Sequence, residues 1–545
     1  MTSRRIAPRF TIGEAFSEAI ERYAGNPLLV IPRREGRVYH PAGLEITYGA
    51  AGAEVARLVD AYRDAGYGHG HRVALLLENR PEHMLHKLAL NTLGVSCVPI
   101  NSDYRAREIA YLLDHAGIDL AIASSDRTQQ LLQGMSESER KPAWRVLDEI
   151  GRGLPSTGRR PPRDQPVGAG SEASLLYTSG TTGRPKGCIL SHAYELAAGT
   201  WYAELGPLVA IRSCEERIYN PLPLAHVNAS VLSFFCAMLT GSCQIQTDRF
   251  HPERWWSEVR ETRATIVHYL GVIVPLLLGQ PPSPEDRTHG VRLGLGAGVE
   301  PQLHARFEER FGFPLVEVWG MTEMVRVLAD NEPPRQVGTR AFGRPVPSVE
   351  VRIVDDEDRD LPSATPGEMI IRHSAATPRE GFFSGYLNDD AATEQAWRNG
   401  WFHTGDTVSR DDDGMLHFID RKKNIIRRSG ENIAAAEVEA LLQAHPDVHQ
   451  VAVLAVSDET REEEVLACIV LSKGTAGRDT AEQLFSYCYD NLAYFKAPGW
   501  IYFTDVLPTT GTQKIQKHAI FPAGCDPRAL DGMIDLRLRK RRATV

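Results

Sequence analysis

The sequence predicts an α/β protein: a large, doubly wound parallel unit followed by a small α+β unit. Three observations predict it. From about residue 70, apolar β-type runs alternate with helical patterns, which is the signature of parallel βα units. After about residue 345 the runs become shorter and strand-like, and from about residue 424 a separate helix-and-strand pattern begins.

The β-type runs of the large unit are 72–77, 95–100, 120–123, 173–177 and 265–269. Helical spacing appears at 82–93, where Met84, Leu85, Leu88 and Leu93 share a face, and again at 107–115. The stretch 151–170, rich in Gly, Pro and Arg, reads as an exposed loop. Strand-like runs follow at 349–354 and 368–372. The small unit reads as helix 434–444, strands 450–456 and 465–471, helix 481–491 and strand 500–504. The apolar runs 231–239 and 271–279 are far shorter than the ~20 residues a membrane-spanning helix needs, and read as buried core helices.

Composition narrows the function. The chain has 545 residues, 42% hydrophobic and 24% charged, with a net charge of −9, so disorder and a basic nucleic-acid surface are both disfavoured. The basic cluster at Arg537, Arg539, Lys540, Arg541 and Arg542 reads as a solvated, frayed end. The eight cysteines show no Cys-x-x-Cys pair and no zinc spacing, which fits a reducing, cytoplasmic setting. The N-terminus carries no apolar signal core.

The densest chemistry lies at 177–187, Tyr-Thr-Ser-Gly-Thr-Thr-Gly-Arg-Pro-Lys-Gly. Thr178, Ser179, Thr181 and Thr182 supply hydroxyls, Gly180 and Gly183 free the backbone to turn N–H groups toward an anion, and Lys186 adds charge. That combination suits phosphates. It is not a Walker A loop, because the Gly before the Lys and the Ser/Thr after it are missing. A second glycine cluster, Gly294, Gly296 and Gly298, is spaced like a dinucleotide fingerprint, but Val299 stands where the third glycine would fall. An NAD-dependent oxidoreductase is therefore the weaker reading.

The 177–187 segment resembles the phosphate-loop signature of the adenylate-forming (AMP-binding) superfamily: acyl-CoA synthetases, luciferases and peptide-synthetase adenylation domains. Five further segments resemble family motifs in the family's order. They are 220–226 (Asn-Pro-Leu-Pro-Leu-Ala-His), 316–323 (Val-Glu-Val-Trp-Gly-Met-Thr-Glu), 404–406 (Thr-Gly-Asp), 420–430 and 508–514 (Pro-Thr-Thr-Gly-Thr-Gln-Lys). The wording of 293–301 looks most like crotonobetaine/carnitine–CoA ligases.

The resemblance implies an N-terminal adenylation domain over 1–422, of parallel α/β sheets plus a distorted β-barrel subdomain. It also implies a mobile C-terminal domain over 424–545 carrying the catalytic lysine. The implied reaction joins ATP and a carboxylic acid into acyl-AMP and pyrophosphate, then passes the acyl group to coenzyme A. Delivery to a carrier protein is the alternative.

Residue by residue, the resemblance assigns Lys514, Thr322 and His226 to catalysis and Glu323 to Mg²⁺. ATP is expected on the 178–183 loop, Lys186, Thr322 and Lys514. Its ribose is expected on Asp406 with Arg421, and its adenine between 298–301 (Gly298, Val299, Glu300, Pro301) and the Glu317, Val318, Trp319, Gly320, Met321 strand. The acyl pocket is expected at His226, Val227, Gly296, Ala297, Gly298, Gly320 and Met321. No acid follows His226 to hold an amino group, so a plain organic acid is expected, whether carnitine-like, fatty, aryl or terpenoid. Lys423 is the implied pivot, and Ser429, Gly430 and Asn432 belong to the segment that faces CoA. Two positions depart from the usual pattern: Gln513 stands where Gly is usual, and Lys423 where Asp is frequent. The assembly is left open, with a homodimer as one candidate.

Overall fold

The computed structural model describes residues 10–158, 162–178, 185–299, 301–355, 357–421, 425–508, 515, 517, 520–522 and 525–541. The βα alternation becomes two large sheets. In the first, strands Arg72–Leu76, Ser96–Pro99, Leu120–Ala123, Ala143–Val146 and Glu172–Thr178 pair in parallel. Two antiparallel strands, Lys186–Ser191 and Gly385–Tyr386, complete seven. In the second, six strands including Arg217–Asn220, Ile266–Leu270, Leu293–Ala297 and Leu315–Met321 run parallel, with an antiparallel strand at each edge. Buried on both faces, these strands read as continuous apolar runs; Leu293, Leu295, Leu315 and Val316 are all at most 1% exposed.

Helices start where the sequence supplies caps. Ser191 accepts from the Tyr194 N–H at the head of helix His192–Ala203. Glu108 reaches back to the Arg105 N–H at the head of helix Ala106–Ala116, which ends at Gly117 with φ +64. The apolar run 231–239 forms a short π-turn, Asn228–Ser233, that runs into helix Phe234–Thr240, and 273–278 is helical within the core. No helix among the described residues is long and apolar enough to cross a membrane.

The part expected as a distorted barrel is built on a four-stranded antiparallel sheet: Glu350–Val354, Gly367–Arg372, Phe402–Arg410 and Leu416–Arg421. Beyond it, a six-stranded sheet carries helices Ala435–Gln443 and Arg478–Asn491. This last unit has its own core, around Ile426, Ile433, Val438, Leu442, Ile469, Leu484 and Ile501.

The tail differs from its expected frayed state. Arg537 lies 4.5 Å over the Trp500 ring and pairs with Asp458 and Asp535 at 2.8 Å each. Lys540 is fully buried against Glu464, and Tyr489 donates to the Arg541 carbonyl at 2.6 Å. Carboxylates and aromatic faces from distant strands hold these cations; Arg542 lies outside the described residues.

Candidate active site

A cavity of about 1370 Å³ lies where the strand ends of both sheets meet the antiparallel subdomain and the C-terminal unit. In the phosphate motif, Thr178 and Lys186 face each other as the ends of an antiparallel strand pair, and both line the cavity. A second strand, Lys186–Ser191, follows the motif, and helix His192–Ala203 starts directly after it. Ser179, Gly180, Thr181, Thr182 and Gly183 lie outside the described residues.

Across the cavity, Thr322 and Glu323 form the tip of a tight hairpin, flanked by the Met321–Met324 pair. Tyr194 fixes this tip by donating to the Thr322 carbonyl at 2.6 Å. Tyr386 donates to Glu323 Oε1 at 2.8 Å, and Lys186 Nζ sits 4.6 Å over the Tyr386 ring. A hydroxyl, a carboxylate and an ammonium thus converge from two strands and a hairpin tip. Burial and the Glu323 charge push the Tyr386 phenol far above its ordinary range, so it remains a donor.

Asp406 lies on strand Phe402–Arg410, in register with Arg421, and lines the cavity. Just before it in the strand, Gly405 adopts φ +71, and its N–H donates to Glu368 Oε1 at 3.2 Å. The structure puts Trp319 beneath Asp406 and not across the cavity as an adenine wall. The ring is 6% exposed and donates from Nε1 to Asp406 Oδ2 at 2.8 Å.

The 298–301 segment also differs from expectation. Gly298, at φ +86, and Val299 donate to the buried Glu317 carboxylate at 3.0 and 3.3 Å, and Tyr269 donates to it at 2.8 Å. Glu317 therefore holds a turn, and its carboxyl is raised by burial. Gly298, Val299, Pro301, Glu317, Val318 and Trp319 are absent from the described cavity wall, and Glu300 lies outside the described residues.

Of the residues expected to form an acyl pocket, His226, Val227, Gly320 and Met321 line the cavity, joined by Leu270, Val272, Ile273 and Leu276. Gly296 and Ala297 do not line it. A Cβ on Gly296 would meet the Tyr269 carbonyl oxygen at 2.2 Å and its ring at 2.7 Å, because adjacent parallel strands approach closely there. Gly296→Val is therefore expected to destabilise the sheet by about 1–3 kcal/mol through overpacking. Thermal denaturation checks this; an unshifted midpoint with a narrowed acid profile would restore Gly296 to the pocket.

The C-terminal unit reaches the same place. Strands Ile425–Arg428 and Glu431–Ala434 form a hairpin whose two-residue turn, Ser429-Gly430, has φ +51 and +83. Positive φ at both positions is what a tight type I′ turn requires. Its tip lines the cavity, and Glu431 Oε2 lies 3.4 Å from His226 Nε2. Burial opposes charge on the imidazole, and the Glu431 carboxylate outweighs it and raises the His226 pKa. Asn432 pairs with Arg427 on the hairpin. Lys423 and Lys514 lie outside the described residues.

Sequence reasoning missed Tyr386, Glu368 and the Leu270–Leu276 wall. Each sits far in sequence from the residue it serves, with no motif to mark it.

A family profile described as AMP-binding enzyme matches residues 17–387, and its C-terminal domain profile matches 437–514. The chain belongs to the AMP-binding enzyme family. It is 29% identical over 521 residues to a crotonobetaine/carnitine–CoA ligase of Citrobacter koseri, covering 92% of this chain and 97% of that one. An amide bond synthetase from Marinactinospora thermotolerans superposes with a TM-score of 0.78 at 26% identity, covering 93% and 98% of the two chains. The o-succinylbenzoate CoA synthetase of Bacillus subtilis, bound with a product analogue, gives 0.79 at 22% identity, covering 94% and 98%. The same synthetase in complex with AMP gives 0.64.

Proposed function

We propose that this enzyme makes an acyl-CoA from an apolar carboxylic acid in two steps within the one cavity. The observation that carries the reading is the convergence of Thr178, Lys186, Thr322, Glu323, His226 and the Ser429-Gly430 turn on that cavity. In the first step the acid attacks the α-phosphate of ATP. Lys514, Lys186, Thr322 and the 178–183 hydroxyls stabilise the charge that spreads over the phosphoryl oxygens. Asp406, with Arg421, holds the ribose. In the second step CoA enters past Ser429, Gly430 and Asn432, and the thiolate displaces AMP.

Among the described residues no three His, Cys, Asp or Glu side chains gather to hold a metal. The Glu323 carboxylate lines the cavity and is an oxygen donor of the kind Mg²⁺ takes, since that ion binds one or two carboxylates and completes its shell with water and phosphate. Glu323 is the carboxylate we assign to it; there Mg²⁺ would neutralise phosphate charge.

Two further features support the reading. The wall near His226 is aliphatic, at Val227, Leu270, Val272, Ile273, Leu276 and Met321, and the carboxylates elsewhere on the cavity wall include Asp248, paired with Arg34, and Glu78, paired with Arg127. The carboxylate beside His226, Glu431, is paired with the imidazole, so the aliphatic wall favours an apolar acid over a quaternary ammonium such as carnitine. The higher TM-score against the product-analogue complex than against the AMP complex supports assigning this domain arrangement to the second step, with Lys423 as the pivot between domains 1–422 and 424–545.

Pyrophosphate release measured over fatty, aryl, terpenoid and carnitine-like acids, with and without CoA, tests the proposal. Release of AMP and pyrophosphate with apolar acids, followed by CoA-dependent thioester, is expected. ADP and phosphate as products, or turnover of carnitine alone, would overturn it.

A further inference from the structure

At the edge of the cavity, where Tyr104, Glu437 and Lys496 form part of its wall, the C-terminal unit is joined to the large unit by a buried ion cluster. Lys496 Nζ bonds Glu108 Oε1 at 2.6 Å and Glu437 Oε1 at 2.9 Å, and lies 5.0 Å over the Tyr104 ring. The three charged side chains are only 5%, 7% and 11% exposed. Beside them the Arg105 guanidinium lies 4.8 Å over the Tyr489 ring. Tyr104, Arg105 and Glu108 belong to the large unit, at the head of helix Ala106–Ala116; Glu437, Tyr489 and Lys496 belong to the small one.

Lys496 is presented from a rigid base. Ala493, Phe495 and Ala497 on either side of it are buried in the small unit's core. Both sides of the contact keep a partner if it opens. Glu108 Oε2 accepts from the Arg105 N–H at 3.0 Å, capping its own helix, and Lys496 retains Glu437 within its own unit. Separation therefore leaves neither charge without a partner. When the contact is closed, the Ser429-Gly430 turn of the same small unit stands in the cavity and Glu431 faces His226.

We propose that Lys496 and Glu108 form a releasable latch that holds the small unit in the orientation used for thioester formation. This rests on the two-step reading above. Lys496 and Glu108 are positioning residues: their effect on chemistry passes through the hairpin they bring to the cavity. Opening the latch should leave adenylation untouched, because Thr178, Lys186, Thr322 and Glu323 belong to the large unit and Lys514 serves that step from the other orientation of the small unit, which the latch does not hold.

The test uses full-length Glu108→Gln and Lys496→Met enzymes with the acid that turns over fastest in the panel. Pyrophosphate release reads the first step, and conversion of that acid's synthetic acyl-AMP plus CoA reads the second. The second step is expected to fall at least about tenfold, as when one partner of a buried charge pair is removed, while the first stays within about twofold. Equal loss in both steps, or no change in either, in a variant with an unshifted melting temperature overturns the latch. Hydrogen exchange over residues 104–116 gives an activity-independent readout: faster exchange in the folded variants supports the latch, and unchanged exchange overturns it. If the wild-type enzyme releases no pyrophosphate with any acid, the two-step reading fails and the exchange result alone decides the latch.

Discussion

Lys514→Ala is expected to slow pyrophosphate release by about a hundred- to a thousandfold, while supplied acyl-AMP plus CoA still reacts at near the wild-type rate. The reason lies in where charge develops. Carboxylate and α-phosphate meet in the first transition state, and a positioned cation there is worth about 3–4 kcal/mol, by comparison with the loss of one oxyanion donor. In the second step the acyl-AMP already exists and the nucleophile is a thiolate, so that cation has no equivalent task. The neighbouring Lys517 is already engaged within the small unit: its Nζ pairs with Glu439 at 2.7 Å and donates to the Val453 carbonyl at 3.0 Å. Lys517→Ala should therefore leave both steps nearly unchanged. If Lys517→Ala abolishes adenylation and Lys514→Ala does not, the catalytic lysine has been misassigned at the position where Gln513 departs from the usual glycine.

Gly430→Val is expected to do the reverse: thioester formation should fall about ten- to a hundredfold and adenylation should persist. A Cβ at 430 would lie 2.0 Å from Leu270 Cδ1 on the cavity wall. Leu270 could rotate away, but the backbone could not relax as easily. At φ +83 a β-branched residue is strongly disfavoured, and the tight turn requires that φ. A penalty of about 1.4–2.8 kcal/mol on the inserted hairpin corresponds to that range of rate. Ile426 and Ile433, fully buried behind the tip, keep the hairpin folded. Separate assays of the two half-reactions check the prediction. Undiminished thioester formation would mean that the tip does not need to enter the cavity.

Much of the fold was legible before any coordinates. The apolar runs at 72–77, 120–123 and 265–269 lie within a residue of their observed strands, because a strand buried on both faces needs a continuous apolar segment. Helix 107–115 was equally legible from its spacing, and ends where Gly117 adopts a left-handed conformation. Residues expected to act on phosphate that are adjacent in sequence stay adjacent in the fold: Thr322 and Glu323 share one hairpin tip. Trp319 shows the limit of that reasoning. Alternation along strand Leu315–Met321 sets its face, and that face turns the ring inward, where its N–H meets Asp406. A motif names the residue, but the pleat decides where the ring goes.

The sequence by itself determined the αβ order of the large unit, the separate core of the small one, the strand that ends in the phosphate loop and the class of chemistry. These depend on short-range periodicity and on neighbouring residues. Tertiary structure alone decided that Tyr386 serves Glu323, that Glu431 faces His226, that Lys540 is buried against Glu464, and that Lys496 meets Glu108 across 388 positions of chain. The physical reason is that such pairs depend on how parallel crossovers stack the strand ends and how one core docks on the other. Any exposed lysine and glutamate would look the same in sequence; burial together, with water removed and helix Ala106–Ala116 fixing one partner, is what makes this pair a contact.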